Sequence, residues 1–382
     1  MPRFFGSPEV GMGRQRLRRF LFRGPGLLPL LAVLAAGLLG SCADQAATGE
    51  SKGGLGRLGS ERLRLIQGRD RLLCGINGQL PGFSSLAAGG RYEGFDVEVC
   101  RAVAAAVLGD PAKVDLKLLS SNDRFTAVAS GDVDLLSRNT TVNLSRDATG
   151  GNGLSFAPIL FYDGGAVMAP AGSGITRVAD LAGRTVCVVS GSTNEGVLSD
   201  RMGSLGLTYT PLRYRNADET FAAYLNGRCA AVTSDRSGLA ARRTLFPNPG
   251  AHRLLAESLS KELMAPASLQ ADPVWADAVR WIVSALVEAE EAGITRANLS
   301  ALTASARADP TKAQLRRFLG LEGDLGRSLG LPADFAPRAV AAVGNYGELF
   351  ERTLGKGSTL GLERGPNRLW SQGGLLFAPP FR

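Results

Sequence analysis

Apolar positions along this chain recur in two alternating rhythms. "RLLCGIN" is a short apolar run of strand length, and "GFDVEVCRAVAAAVLG" follows with Val99 or Cys100, Val103 and Val107 spaced three to four residues apart. That spacing predicts a helix, with Asp96 near its cap and Gly109 as the C′ glycine. "KVDLKLL" alternates Val114, Leu116 and Leu118 as a strand, "SNDRFTAVASG" reads as a helix and "DVDLLS" as another strand. Strand and helix alternating in this way predict an α/β fold with a parallel sheet.

The rhythm returns in the middle of the chain. "RTVCVVSG" is a strand, "STNEGVLSDRMGSLG" a helix entry, "LTYTPLRY" a strand, "NADETFAAYLNG" a helix and "RCAAVTSD" a strand, so a second lobe is expected. "LSFAPILFYDGGAVMAP" (Leu154 to Pro170) lacks a helical period and is read as the segment crossing between lobes. "FTAVASGDVDLLS" and "FAAYLNGRCAAVT" match in phase: each has a glycine six residues after a phenylalanine and a strand end six residues after that. Ligands of open α/β sheets gather at the carboxyl ends of strands. There the first lobe delivers Arg138, Asn139, Thr141 and Arg146, and the second delivers Thr233, Ser234 and Asp235.

The remainder is helical. "DPVWADAVRWIVSALVEAEEAG" has Asp272 as N-cap, Pro273 at the first helical position, a face of Trp275, Ala278, Ile282 and Leu286, and a stop at Gly293. "DPTKAQLRRFLG" and "DFAPRAVAAVGNYGELFERTLG" are read as one helix each. Trp275, Trp281, Phe318 and Phe350 fall at core spacing, and the tail from Gly355 reads as a surface strap.

The first 41 residues stand apart. Six arginines precede the apolar run "LLPLLAVLAAGLL", which is too short to span a bilayer and has the size of a secretory h-region. It ends in "LGSC", which resembles a bacterial lipobox with Cys42 as the lipidated residue; an ordinary signal peptide with a chance cysteine is the alternative. Arg18 and Arg19 also suggest a twin-arginine signal, although their flanks fit it poorly. The formal charge of +8 is then mostly the leader's, with six arginines against one glutamate, and +3 remains on the rest. No basic tract interleaved with aromatics argues for nucleic acid. Residues 43 to about 60 are small, polar and Gly-rich, a flexible tether.

Cys74, Cys100, Cys187 and Cys229 remain, an even number in an exported chain, which suggests two disulfides among three possible pairings, with buried free thiols as the alternative. No CxxC spacing supports zinc, and the single histidine, His252, supports neither a triad nor a metal centre and is read as a surface loop residue. No cofactor is expected.

A ligand held between guanidinium on one lobe and carboxylate on the other is itself a zwitterion, and a free α-amino acid fits. Its carboxylate, out of water, needs the paired donors of arginine, and its ammonium needs acceptors such as Asp235. From about Leu63 to Trp370, roughly four fifths of its length, the chain resembles the extracytoplasmic solute-binding proteins of ABC importers for polar and general L-amino acids. The stretches that carry the resemblance are "CGINGQLPGFS", "GFDVEVCRAVAAAVLGDP", "RFTAVASGDVDLLSRNTT", "LSRD", "LFYDGGAVM", "VCVVSGSTNE", "SDRSGLAARR", "AEEAGIT", "RFLG" and "VGNYGELFER".

The resemblance implies a type II periplasmic binding protein fold with two lobes, two crossing hinge strands and a helical C-terminal extension. The expected layout is a signal peptide at 1–41, a tether at 42–62, lobe 1 at 63–163 and again at 257–350 with the extension, lobe 2 at 164–256, and a strap at 351–382. It also implies that Arg146, with Thr141 and the backbone near Ser192 and Thr193, holds the α-carboxylate and that Asp235 holds the ammonium. Asn139 and Arg138 would line the first lobe's wall, Arg138 as a ligand residue or as a strut to Asp134 or Asp147. Leu80, Ser121 and Asn77 stand where basic-amino-acid binders place aromatic and acidic residues, which implies polar or broad specificity, with Asn77, Gln79 and Glu195 as side-chain contacts. Phe83 either lines the cleft or packs beneath it. The implied disulfides are Cys74–Cys100 and Cys187–Cys229.

The expected protein is a lipid-anchored monomer in the periplasm or on the outer membrane face, passing an amino acid to a membrane permease. The alternative is an enzyme on the same fold, a dehydratase or lytic transglycosylase, for which Glu195 is the one cleft acid to enlist. A receptor sensor module is the third class, and no transmembrane helix or signalling domain follows residue 351 to support it.

Overall fold

In the computed structural model, which describes residues 59–382, two five-stranded sheets face each other across a cleft. The leader, Cys42 and the tether up to residue 58 lie outside the described residues. The first sheet runs in the order Val114–Leu118, Leu72–Ile76, Leu135–Leu136, Ala267–Leu269, Leu154–Phe156. Its first three strands are parallel, and Ala267–Leu269 enters antiparallel to both neighbours. The second sheet repeats the plan with Thr210–Tyr214, Thr185–Val189, Ala231–Asp235, Gly165–Pro170 and His252–Leu254. Again three strands are parallel, and Gly165–Pro170 is antiparallel to its neighbours.

The two glycines of the matched phase, Gly131 and Gly227, both adopt positive φ (80° and 70°) where the helix ends and the chain turns into its strand. A Cβ would be strained at both, which explains why the same residue recurs at the same offset. Between the sheets runs an antiparallel two-stranded ribbon, Phe161–Asp163 against Glu262–Met264. The stretch read as one crossing segment thus divides into a strand of each sheet with one ribbon strand between them.

The first lobe's core is built on the helices Phe95–Leu108, Pro273–Glu291, Phe335–Val343 and Tyr346–Thr353. Phe95–Leu108 is almost wholly buried, with four alanines, four valines and one cysteine on its faces, so neighbouring helices approach closely. The long helix begins at Asp272, whose carboxylate caps Trp275 and also accepts from Ser60 Oγ (2.8 Å). Ser60 in turn caps the helix Glu61–Arg69, so this helix starts two residues inside the expected tether. Only two of its residues, Leu63 and Ile66, are buried, too weak a period to predict it.

Two further expectations change. "DFAPRAVAAVGNYGELFERTLG" forms two helices, broken at Gly344 (φ 84°) and restarted by an Asn345–Glu348 capping box. The C-terminal strap is rooted in the core: Phe381 is buried edge-on to Trp281, with ring centroids 5.2 Å apart, and touches Phe318 and Phe335. His252 lies on a strand, its Nδ1 2.8 Å from Tyr224 Oη and its ring against Phe246, and is not a loop residue.

Disulfides join Cys74 to Cys100 and Cys187 to Cys229, one within each lobe. The second closes a sequence separation of 42 residues. Replacing Cys187 and Cys229 together by alanine is expected to cost about 3 to 4 kcal/mol, read as a lower midpoint in denaturant unfolding. An unchanged midpoint would contradict a stabilising bridge.

Candidate functional site

The cleft between the sheets encloses a cavity of about 240 Å³, lined by Asn77, Gln79, Arg138, Asn139, Thr141, Arg146, Ser192, Thr193 and Asp235 among others. It therefore contains every ligand-contact residue expected from sequence except Glu195. That carboxylate is instead ion-paired with Arg213, which is itself exposed. Phe83 packs beneath the cleft, buried edge-on to Phe161.

On the first lobe the chain leaves strand Leu135–Leu136 and turns at Asn139 (φ 33°), a left-handed conformation that asparagine tolerates. The turn is held from below by Asp96, whose carboxylate accepts the Asn139 N–H at 3.0 Å. Burial pushes the Asp96 carboxyl up to about 7, against the lowering effect of that bond and of the Arg138 charge. The turn aims the Asn139 amide across the cleft to Asp235 Oδ2, 3.4 Å away.

Arg138 donates through Nε to the Leu119 carbonyl (2.8 Å) and through Nη2 to Ser121 Oγ (3.4 Å). Burial lowers it to about 10, still protonated at neutral pH. It is no strut to Asp134, which is paired with Arg62 and Arg69. Arg146 lies in the short helix Leu144–Asp147 begun by the Asn143 cap, and its Nη1 donates to the Thr141 carbonyl at 2.7 Å. Burial lowers its pKa, while Glu262 and Asp235 raise it.

Three buried groups were not read from the sequence. Among the described residues the Arg124 side chain, only 4 % exposed, makes no hydrogen bond or ion pair, and its Nε is buried without a partner. Its guanidinium lies over the Phe125 ring at 4.6 Å, with Arg146 over the same ring at 5.1 Å. Burial, then the repulsion of Arg138 and Arg146, depresses its pKa well below the ordinary guanidinium value. Arg242 lines the lobe 2 wall, donates across the cleft to the Gln79 carbonyl (2.8 Å) and pairs with Asp218. Glu262, on the ribbon, accepts from Thr141 Oγ1 (2.5 Å) on one lobe and Thr193 Oγ1 (2.9 Å) on the other. The hydroxyls of Thr141 and Thr193 are thus engaged within the chain, and that of Ser192 bonds to the Val189 carbonyl.

Asp235 closes its strand opposite these cations. Its Oδ1 accepts from Asn194 Nδ2 at 2.8 Å, and Asn194 belongs to the first turn of helix Thr193–Ser204, whose amino end faces the cavity. Burial first, then the charges of Asp163 and Glu262, pushes Asp235 up to about 7. The site therefore sets at least three guanidiniums on lobe 1 against a carboxylate on lobe 2. Among the described residues no cluster of side chains suits a metal ion, and no helix is long and apolar enough to cross a membrane.

Two sheets of this strand order joined by a ribbon, with a charged cleft between them, define a type II periplasmic binding protein. Residues 72–315 match the bacterial extracellular solute-binding proteins, family 3, and the chain belongs to that family. It is 46 % identical over 317 residues to the glutamate/glutamine/aspartate/asparagine-binding protein BztA of Rhodobacter capsulatus, covering 83 % of this chain and 92 % of that one. It is 43 % identical to the general L-amino acid-binding periplasmic protein AapJ of Rhizobium johnstonii, with the same coverage of 83 % and 92 %. A solved periplasmic binding protein from Brucella ovis with glutathione bound superposes with a TM-score of 0.80 at 41 % identity, covering 85 % of this chain and all of that one.

Asp235 gives the site a pH signature. Its folded pKa lies above the unfolded value, so between about pH 4 and 7 the folded protein holds a proton that the unfolded chain has released. Stability of the ligand-free protein is therefore expected to fall as pH rises through that window, and less steeply in Asp235→Asn. Thermal melting of both proteins at intervals from pH 4 to 7 checks this, and parallel curves would refute it.

Proposed function

We propose that the cleft takes free L-amino acids whose side chain ends in a carboxylate or carboxamide, and that closure over them presents the loaded protein to the permease of an ABC importer. The family and the names of its relatives support amino acid import in the periplasm. The finer choice rests on one observation, the buried guanidinium of Arg124, which has no partner among the described residues. An amino acid carboxylate on Arg146 and its ammonium on Asp235 leave Arg124 without a counter-charge. A buried charge without a partner is costly, and a second anionic group on the ligand relieves that cost.

In this reading Arg146 fixes the α-carboxylate together with backbone groups at Ser192 and Thr193, and Asp235 with Asn139 receives the ammonium. Arg124 and Arg138 meet the side-chain oxygens, while Asn77 and Gln79 form the wall. Thr141 contributes through its backbone and by holding Glu262. The same reading assigns lobe 1 to about 63–163 with 257–350 and lobe 2 to 164–256, with a monomer as the binding unit.

Calorimetry with all twenty amino acids and glutathione tests it. Micromolar or tighter binding of glutamate or aspartate is expected, and absence of heat with every compound would overturn it. Arg146→Ala is expected to weaken all ligands by about 2 to 4 kcal/mol. Arg124→Met should weaken glutamate by tenfold or more and glutamine much less; equal losses would remove Arg124 from the side-chain pocket.

Export and anchoring belong to the same proposal: the leader is cleaved and Cys42 carries lipid. Full-length protein is expected in the membrane fraction, and Cys42→Ala in the soluble periplasmic fraction. Identical fractionation of the two would contradict the anchor.

A further inference from the structure

The ribbon that joins the lobes has one strand, Phe161–Asp163, whose outer edge faces no other strand among the described residues, and the residues that cover it come from the C-terminal segment, beyond the family match that ends at residue 315. Asn367 meets Tyr162 as a strand would: its Oδ1 accepts the Tyr162 N–H at 2.6 Å and its Nδ2 donates to the Tyr162 carbonyl at 3.1 Å. Tyr162 Oη also donates to the Leu375 carbonyl (3.1 Å). Asn367 is buried, and its backbone carbonyl accepts from Arg364 Nε and Nη2 at 3.0 and 2.8 Å. Arg364 makes a two-point ion pair with Glu290, at 2.6 and 3.1 Å, on the long helix of lobe 1. Its guanidinium also lies over the Tyr346 and Phe350 rings.

The neighbouring residue faces the other way. The Asp163 carboxylate accepts from the Ser237 N–H (3.1 Å) and from its hydroxyl, at the start of helix Arg236–Arg243 in lobe 2. Tyr162 is thus tied to lobe 1 and Asp163 to lobe 2, so one edge of the ribbon changes allegiance across a single peptide link. We infer that the C-terminal segment sets the pivot of lobe closure, with Asn367 as a positioning residue that fixes Tyr162 on lobe 1 and confines the bending of this strand to the residues that follow. A hinge confined in this way samples fewer open geometries, and closure loses less freedom when ligand arrives.

The inference rests on ligand binding between the lobes only for its affinity arm, because the other arms need no ligand. Asn367→Ala is expected to enlarge the radius of gyration of the ligand-free protein in small-angle scattering and to raise the Kd for L-glutamate about three- to tenfold. Asn367→Asp, which keeps the acceptor for the Tyr162 N–H, should fall between the two. Asp272→Ala, which weakens lobe 1 far from the ribbon, controls for simple destabilisation and should leave the scattering unchanged. Scattering and Kd in Asn367→Ala equal to the unaltered protein, or the same shift in Asp272→Ala, would overturn the inference. Should Asn367→Ala not fold, hydrogen exchange on the unaltered full chain decides. The Tyr162 amide is expected to be protected equally with and without L-glutamate, and free exchange in the ligand-free protein would overturn the brace.

Discussion

The constraint on which this structure turns is the burial of unlike charges on opposite sides of one cleft. Lobe 1 holds Arg124, Arg138 and Arg146 out of water, and lobe 2 holds Asp235. Each side meets the cost of desolvation with local support: Phe125 beneath two guanidiniums, carbonyls on Arg138 and Arg146, amides on Asp235. That support is incomplete, most plainly at Arg124. The sheets, the cores of both lobes and the disulfides serve to keep these groups in place against a force that would otherwise draw them to solvent.

Glu262 belongs to the same electrostatic frame. It stands on the ribbon between the lobes and takes a hydroxyl from each, so the two walls of the cleft are joined through a buried carboxylate. Its negative charge also supports the Arg146 cation and opposes ionisation of Asp235. The crossing ribbon is therefore part of the charge balance of the site as well as its mechanical link.

Much of this was legible in the chain. Arg138, Arg146 and Asp235 follow apolar strands, and the rule that strand ends carry ligands picks them out without knowledge of the fold. Arg124 follows a strand as well, but Val114–Leu118 is a half-exposed edge strand, and the residue reads as the polar entry to a helix. Glu262 lies in a strand of three residues, too short to show a period, and nothing local marks it as buried. Arg242 reads as one of two solvent-facing arginines ending a helix, because its partner at Gln79 is remote in sequence. Glu195 shows the converse: it opens a helix at the cleft, yet its first-turn position turns the carboxylate toward Arg213.

The matched helix, glycine and strand of the two lobes has a consequence for discrimination. The lobes present equivalent backbone frames, at Ser137 and at Thr233, whose terminal chemistry is opposite in sign. With the one cation of the lobe 2 wall named above, Arg242, already paired with Asp218, a molecule with only an acid group has reason to settle on lobe 1 and a simple amine on lobe 2, and neither gives the halves cause to meet. Under the proposed binding mode, occupancy and closure separate: a partial ligand fills the cleft without joining its halves, and a molecule carrying both signs bridges them.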